Sequence, residues 1–124
     1  MVVTYVCEQI QRDTGLWYSA EYSTFSISDE VGKYRLTVDG YSGDAGNALM
    51  TPGAPNWKSN GRMFSTPDSD NDAWAGGSCA VNYGTGWWYR KCSASRVNSP
   101  TNGLWSTSSA AKDVQASRML VKLN

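Results

Sequence analysis

The chain has 124 residues, with eleven basic residues, eleven acidic residues and no histidine. This length fits one domain with a modest core, and a formal net charge of zero argues against nucleic acid or an anionic membrane surface as the partner. The absence of histidine excludes a Ser-His-Asp triad and removes the commonest transition-metal ligand. No apolar run approaches the roughly 20 residues that a membrane-spanning helix requires.

The two ends of the chain have the period-two alternation of half-buried β-strands. The segment from Trp17 to Ser28 changes its apolar phase once, which predicts a strand with a bulge or break near Ser23 and Thr24. Alternating apolar residues occur in two further segments, namely Tyr34, Leu36 and Val38 in the first and Met119, Val121 and Leu123 in the second. Together these segments predict a short antiparallel sheet.

The long middle region is rich in Gly, Ser, Asn, Pro and Trp and has little sustained periodicity. A loop region of this length is uncommon in a compact domain unless something else holds it, and a disulfide and a bound ion are the candidates. Short helical pieces are expected within it, for example over residues 45–49. The expected fold is α+β and mainly β, as one domain with strands over residues 1–40, a loop-rich region over 41–109 and a closing strand over 110–124.

The three cysteines allow at most one internal disulfide. Cys79 and Cys92 enclose the tighter loop, which is rich in glycine and aromatic residues, and this pair is favoured; three reduced cysteines in a cytosolic protein are the alternative. Cys7 lies in an apolar run and is interpreted as a buried strand thiol, with an intermolecular bridge as the alternative. The adjacent Trp87 and Trp88 are interpreted as core packing around a disulfide rather than as ligand-stacking residues.

An acidic segment, DSDNDAWAGGSC over residues 68–79, places three aspartates on alternate residues. It fails as an EF-hand, because a loop starting at Asp68 would need Gly at its sixth position and Glu at its twelfth, where the chain has Ala73 and Cys79. Aspartates and the carbonyls that follow can still surround calcium if the chain curls, and the two adjacent glycines supply the freedom for that. The alternative is a polar turn whose side chains cap their own backbone amides.

Three segments together resemble, in order and spacing, the C-terminal part of a fibrinogen-related domain, the module shared by fibrinogen chains, ficolins and tachylectins. They are residues 33–49 (KYRLTVDGYSGDAGNAL), residues 60–92 (NGRMFSTPDSDNDAWAGGSCAVNYGTGWWYRKC) and residues 102–105 (NGLW). The resemblance is specific from about Tyr18 to Trp105. It implies a fibrinogen-like fold for most of the chain.

The resemblance also implies a calcium ion held by four residues. Asp70 and Asp72 would bind it through their side chains, and Trp74 and Gly76 through their main-chain carbonyls. A Cys79–Cys92 disulfide, a cis peptide bond just before the second cysteine and a secreted, extracellular protein are implied in the same way.

A ligand pocket next to the calcium loop is a further implication, and in the family it takes an N-acetyl group or a short peptide end. Tyr83, four residues after the first cysteine of the pair, matches an aromatic pocket residue; a core tyrosine is the alternative. Main-chain amides around Cys92 and Ser93 match the hydrogen-bond donors. Ser93 stands where the family often has histidine, so this position can donate a hydrogen bond but carries no charge. Trp105 and either Ala110 or Ala111 are expected at the far wall.

The resemblance predicts a calcium-dependent lectin that binds acetylated glycans, such as N-acetylglucosamine or sialic acid, in innate immunity, with a homo-oligomer supplying several sites. The alternative is a structural or clotting-like module that binds a peptide in the same pocket. A small basic cluster, Arg90, Lys91 and Arg96, is either a solvated face or a contact for an anionic sugar. An enzyme is not expected, because the acids of the loop are better explained as calcium ligands.

Overall fold

The computed structural model of the chain describes residues 2–12, 14–50, 54–100, 103–107 and 110–123, with residues 2–4, 107, 110–112 and 123 described by their backbone alone. The elements, in chain order, are strands β1 (Val2–Gln11), β2 (Trp17–Ile27) and β3 (Leu36–Gly43), a 3-10 helix (Pro55–Trp57), helix α1 (Cys79–Tyr83), and strands β4 (Ser95–Arg96), β5 (Leu104–Thr107), β6 (Ala110–Asp113) and β7 (Ala116–Leu123). Within these residues no helix is both long enough and apolar enough to cross a membrane.

The described strands form two antiparallel sheets. The larger has the strand order β3-β2-β1-β7 and the smaller has the order β4-β5-β6. Strand β1 lies inside the larger sheet, with Cys7 opposite Glu21 of β2 on one side and Leu120 of β7 on the other. The expected fold, mainly β with antiparallel pairing and little helix, is confirmed. The region predicted as one closing strand instead contains β6 and β7, which belong to different sheets.

The change of buried face predicted near Ser23 and Thr24 is present in β2, but the bulge or break expected there is not. Tyr22 and Phe25 are both buried, although a regular strand would point residues at this spacing to opposite faces. Beside Ser23 lies Gly40 of β3, which has a φ of 69°, and a Cβ at this glycine would lie 1.8 Å from Ser23 Oγ. The pairing of β2 with its two neighbours keeps one register on both sides of this point. The strand therefore does not break, and a glycine accommodates the change of face.

The hydrophobic core joins the larger sheet to the loop-rich region. Its largest fully buried side chains are Trp105, Tyr22, Tyr89, Phe25, Ile10 and Leu36. Trp88 packs edge-on against Phe25 and Phe64, with ring centroids 6.3 Å and 5.2 Å apart. The interpretation of Trp87 and Trp88 as core residues is confirmed, since both are buried. Aromatic side chains bury the most apolar area per residue, so they stabilise a region that has few regular hydrogen bonds.

Two side-chain hydrogen bonds and a disulfide also hold the loop-rich region in place. Trp88 Nε1 donates to the carbonyl of Tyr34 at 2.9 Å, and Trp105 Nε1 donates to the carbonyl of Gly46 at 2.9 Å. Cys79 and Cys92 form the disulfide, which confirms the favoured pairing. The interpretation of Cys7 as a buried strand thiol is also confirmed, since it is free and 5% exposed.

Helix α1 forms at Cys79–Tyr83, whereas residues 45–49, where a helical piece was expected, contain bends and turns. Ser78 supplies the N-cap, since its Oγ accepts a hydrogen bond from the amide of Val81 at 3.2 Å. Gly84 ends the helix with a φ of 70°. A helix of five residues is too short to show a helical period, so the hydrophobic pattern did not reveal it.

A carboxyl group is buried in the centre of the larger sheet. Glu8 lies two residues from each of the buried Val6 and Ile10 along β1, so its side chain is on the same face as theirs and points into the core. Its side chain is 3% exposed, and Oε2 has no hydrogen-bond partner among the described residues. Burial raises the pKa of Glu8 from 4.5 to about 8. At neutral pH the folded protein thus keeps a proton that the unfolded chain releases.

This proton makes stability depend on pH. Because the folded pKa is raised, the stabilising contribution is fully present below pH 4.5 and is lost as the pH rises through about 8. We expect the free energy of unfolding to fall over this range by up to about 1.4 kcal/mol per pH unit. Urea unfolding at several pH values measures the slope. Glu8→Gln should flatten it, and Glu30→Gln at an exposed position should not; an unchanged slope in Glu8→Gln would contradict the assignment.

The disulfide should contribute strongly to stability. Its two cysteines are separated by 13 residues, and a loop of this length contributes roughly 3 kcal/mol in the chain-entropy model. A Cys79→Ala/Cys92→Ala double variant should lose about that much free energy of unfolding relative to the oxidised protein. Dithiothreitol should lower the Tm of the native protein and leave that of the double variant unchanged. Peptide mapping that joined Cys7 to either partner would overturn the pairing.

Candidate functional site

The first aspartate of the acidic segment belongs to a local turn. Thr66 Oγ1 donates to Asp68 Oδ1 at 2.7 Å, and Thr66 and Ser69 form an isolated β-bridge. The hydrogen bond from Thr66 holds the pKa of the Asp68 carboxyl below its usual value. A polar turn whose side chains cap their own backbone amides was the alternative to a calcium loop, and Asp70 and Asp72 make such bonds, each to the amide two residues further along the chain.

Asp72 accepts two hydrogen bonds, one of which connects the acidic segment to helix α1. One of its carboxylate oxygens accepts a hydrogen bond from the amide of Trp74 at 2.8 Å, and the other accepts from the amide of Cys79 at 2.8 Å. Asp70 Oδ1 in turn accepts from the amide of Asp72 at 3.1 Å. The Asp70 carboxylate therefore lies against the main chain of Asp72, and the Asp72 carboxylate orders the loop through the amides of Trp74 and Cys79.

The segment from Asp70 to Gly76 carries the hard oxygen donors that calcium prefers. A carboxylate has about four acceptor positions, so the single bond to Asp70 and the two to Asp72 leave capacity on both. The carbonyl of Trp74 accepts one long hydrogen bond, from Gly77 at 3.3 Å. The described part of the chain contains no group of three or more His, Cys, Asp or Glu side chains that could hold a metal ion. In donor chemistry the segment is compatible with calcium, since it combines two carboxylates with main-chain carbonyls.

A cleft of about 200 Å³ lies against the disulfide. Its lining consists of Trp57, Tyr83, Cys92, Ser93, Ala94, Arg96, Leu104 and Ser106. Three residues that were predicted for a ligand pocket, Tyr83, Cys92 and Ser93, are therefore brought together. The end of α1, the segment after the disulfide, and strands β4 and β5 all contribute to the walls.

Tyr83 belongs to a stack of three side chains at the cleft. Its ring is stacked on that of Tyr89 at 6.3 Å, and the guanidinium carbon of Arg96 lies 3.9 Å from its centroid. Tyr89 is fully buried, its hydroxyl donates to the carbonyl of Thr85 at 2.9 Å, and burial raises its pKa to about 12. Ser99 Oγ donates to the carbonyl of Tyr83 at 2.8 Å. These contacts orient the Tyr83 ring before any ligand is bound.

Ser93 uses its hydroxyl inside the protein. It is 8% exposed, and its Oγ donates to the carbonyl of Ser95 at 2.6 Å. The Lys91–Cys92 peptide bond is cis, as the resemblance implied. The Cys92 carbonyl accepts a hydrogen bond from the amide of Arg90 at 2.6 Å. The main-chain amides of Cys92 and Ser93, rather than the serine hydroxyl, are the donors to consider for a ligand.

Trp105 lies in the core and not in the cleft wall where it was expected. It is 1% exposed, while its neighbours Leu104 and Ser106 line the cleft. Adjacent side chains of a strand lie on opposite faces. Leu104 and Ser106 lie on the face of β5 that lines the cleft, and Trp105 lies on the face that packs into the core. Ala110 begins β6 opposite Thr107; its side chain is outside the described part of the structure.

The three basic residues do not share one environment. Lys91 is exposed, Arg90 is half-buried, and Arg96 is 6% exposed and lines the cleft. The cluster is therefore not a uniform solvated face. Sequence reasoning missed Trp57 and Leu104 as lining residues, because nothing in the local pattern shows that these distant segments meet.

Comparison with known proteins places this geometry in a family. The chain matches the family described as fibrinogen beta and gamma chains, C-terminal globular domain, over residues 5–114. It is 44% identical to the fibrinogen alpha-2 chain of Petromyzon marinus over 93 residues, which is 73% of this chain and 14% of that protein. It is 45% identical to ryncolin-4 of Cerberus rynchops over 80 residues, or 64% of this chain and 21% of that protein.

Solved structures agree on the fold. The fibrinogen-like globe domain of human ANGPTL6 has a TM-score of 0.78 and 26% identity, covering 97% of this chain and 56% of that one. A lamprey fibrin D-dimer complexed with the peptide ligand Gly-His-Arg-Pro-amide has a TM-score of 0.82 and 24% identity, covering 95% of this chain and 45% of that one. The chain thus spans about half of these solved chains. With the family matched over residues 5–114, the chain belongs to the fibrinogen C-terminal domain family.

Proposed function

We propose that this chain is the glycan-binding part of a secreted, calcium-dependent lectin, and that its cleft takes the N-acetyl group of a sugar. The observation that supports this is the convergence of Tyr83, Cys92 and Ser93 in one cleft beside the disulfide. Fibrinogen-like domains are binding modules rather than enzymes. A disulfide persists mainly in oxidising compartments, which supports an extracellular location.

The cleft offers the two surfaces that an acetamido group needs. Leu104 and the part of the Tyr83 ring that Arg96 and Tyr89 leave uncovered would supply apolar surface for the methyl group. The main-chain amides of Cys92 and Ser93 supply donors for the carbonyl oxygen. A ligand of this size binds weakly at one site, so effective binding requires several sites on a homo-oligomer.

Calcium has a structural part in this proposal. When bound, it supplies a hard cation for the carboxylates of Asp70 and Asp72 and the carbonyls of Trp74 and Gly76. Asp72 is hydrogen-bonded to the amide of Cys79, which is disulfide-bonded to Cys92 in the cleft. The position of the acidic loop therefore affects the position of the cleft.

Calcium should stabilise the fold. A site with two carboxylates should bind in the weak range of about 10⁻⁴ to 10⁻³ M, so millimolar calcium should add on the order of 1 kcal/mol to the free energy of unfolding. Asp70→Asn should abolish the calcium-induced rise in Tm, because it removes a carboxylate that makes a single exposed hydrogen bond. Asp68→Asn is the matched control and should keep the rise. A native Tm that is the same in calcium and in chelator would exclude the site.

Acetyl recognition should be visible in a titration followed by ¹⁵N–¹H NMR. N-acetylglucosamine should bind with a Kd near the millimolar range, and glucose, which lacks the acetamido group, should not bind. Tyr83→Ala should abolish this binding, whereas Tyr34→Ala, at an exposed tyrosine outside the cleft, should retain it. The dispersion of the NMR spectrum shows whether each variant is folded. Equal binding of both sugars, unaffected by Tyr83→Ala, would count against the proposal.

A second candidate function is the binding of a peptide end in the same cleft. Fibrinogen chains are among the relatives, and the lamprey fibrin D-dimer, similar in fold, is complexed with Gly-His-Arg-Pro-amide. Titration with that peptide discriminates the two functions. Saturable binding of the peptide, without binding of N-acetylglucosamine, would favour the protein-interaction role.

A further inference from the structure

We propose that two copies of this chain associate through strand β7, whose open edge pairs with β7 of the second copy about a two-fold axis. The resulting dimer joins the larger sheets of both copies into one. It provides a contact for the homo-oligomer that the proposed function requires, although the pairing itself does not depend on which ligand the cleft binds. The larger sheet ends in β3 on one side and in β7 on the other, and these two edges differ.

The β3 edge is covered by a neighbouring segment of the chain. The amide of Leu36 donates to the carbonyl of Arg62 at 3.0 Å, and the amide of Gly61 donates to the carbonyl of Leu36 at 2.8 Å. The amide of Val38 donates to Asn60 Oδ1 at 2.8 Å. Main-chain groups at this edge are therefore already paired, and a second chain could add to β3 only by displacing these bonds.

The β7 edge is open and apolar. Among the described strands β7 pairs with β1 alone, and three consecutive large apolar residues, Met119, Leu120 and Val121, are 43%, 49% and 48% exposed. Val121 lies opposite the buried Val6 and so on the core face, as does Met119, whereas Leu120 lies on the other face. Apolar residues on both faces are typical of strands that are buried on both sides. An exposed hydrophobic edge of this kind favours pairing with another chain.

A second copy of the chain fits this edge for geometric reasons. A two-fold axis normal to the sheet pairs β7 antiparallel with its own copy and keeps the core faces of both sheets on the same side. Pairing of β7 with β3 of another copy would instead produce an open filament, and the bonds that cover β3 oppose it. The formal net charge of zero means that no overall repulsion keeps two copies apart. A closed dimer through β7 is therefore favoured.

The charges of β7 exclude one register and permit another. Arg118 and Lys122 are the charged residues of this strand, and both are exposed. Pairing centred on Leu120 would place Arg118 opposite Lys122 of the second copy, and like charges directly opposite each other are destabilising. Pairing centred on Met119 places Arg118 opposite Leu120 of the second copy instead. The guanidinium carbon of Arg118 lies 4.6 Å from the centroid of the Trp17 ring, so Leu120 then packs beside an ordered side chain.

Sedimentation velocity on the native protein measures this association. One strand from each copy should bury less than the roughly 1,600 Å² of a standard interface, so we expect a reversible dimer with a Kd of roughly 10⁻⁶ to 10⁻⁴ M. Hydrogen–deuterium exchange over the same range of concentration locates the contact. The amides of β7 should exchange more slowly as the concentration rises, and those of β3 should not change.

A pair of variants assigns the association to β7. Leu120→Lys should raise the Kd at least about tenfold, because it places a cation next to Arg118 of the second copy. Val31→Lys is the matched control, since it makes the same change of charge at an apolar residue that is 91% exposed and lies outside the strand, and it should leave the Kd unchanged. Should Leu120→Lys fail to fold, the exchange measurement on the native protein still decides.

The outcomes separate the dimer from the function of the cleft. A native protein that stays monomeric overturns the inference, because a different occupant then covers β7. Association without protection of the β7 amides, or association that both variants weaken equally, overturns the assignment to this strand. A monomer that binds N-acetylglucosamine overturns the dimer and leaves acetyl recognition intact. A dimer formed through β7 that does not bind the sugar supports the interface and overturns acetyl recognition.

Discussion

The cleft depends on two consecutive bonds that start at Asp72. Its carboxylate accepts a hydrogen bond from the amide of Cys79 at 2.8 Å, and Cys79 is disulfide-bonded to Cys92. Cys79 is itself fully buried in the core. One side chain in an exposed loop is thereby joined to the core and to the cleft. A region with so little regular secondary structure needs bonds of this kind, because few strand or helix hydrogen bonds oppose its conformational entropy.

Glu8 and Arg96, two buried side chains that are ionised in water at neutral pH, respond differently to burial. Burial raises the pKa of Glu8 to about 8, so this carboxyl avoids a buried charge by keeping its proton. A guanidinium cannot take this route, because arginine is not deprotonated in proteins. Arg96 therefore needs a partner, and the Tyr83 ring supplies a partial one. The same physical cost underlies the pH-dependent stability expected for the sheet and the stacking of Arg96 on Tyr83 at the cleft.

The relatives share a fold, so the chemistry of this chain has to be argued from the lining of its own cleft. The family match covers residues 5–114, and the relatives include fibrinogen chains, tenascin and ryncolin-4. One fold hosts many functions, so function has to be argued from the site. Here the site combines an oriented aromatic ring, two main-chain amides and a single buried cation.

The sequence alone determined two kinds of feature: the strands, which alternating apolar residues indicate, and the residues whose spacing matches a known family. Period-two alternation predicted the strands, and the segment around the acidic loop identified the family, the Cys79–Cys92 pair and the pocket positions Tyr83 and Ser93. The change of phase in β2 was also visible in the sequence, although its cause, Gly40 on the next strand, was not.

Tertiary structure decided everything that depends on contact between distant segments. It placed Trp105 in the core and Leu104 in the cleft, because the face of β5 that is buried is set by packing and not by the residue types. The short helix α1 has an N-cap at Ser78 and the disulfide at Cys79, although the sequence shows no helical period of apolar residues there. Tertiary structure also separated Arg96 from its basic neighbours, since charge can be read from a sequence but burial and the contact with Tyr83 arise only when the chain is folded.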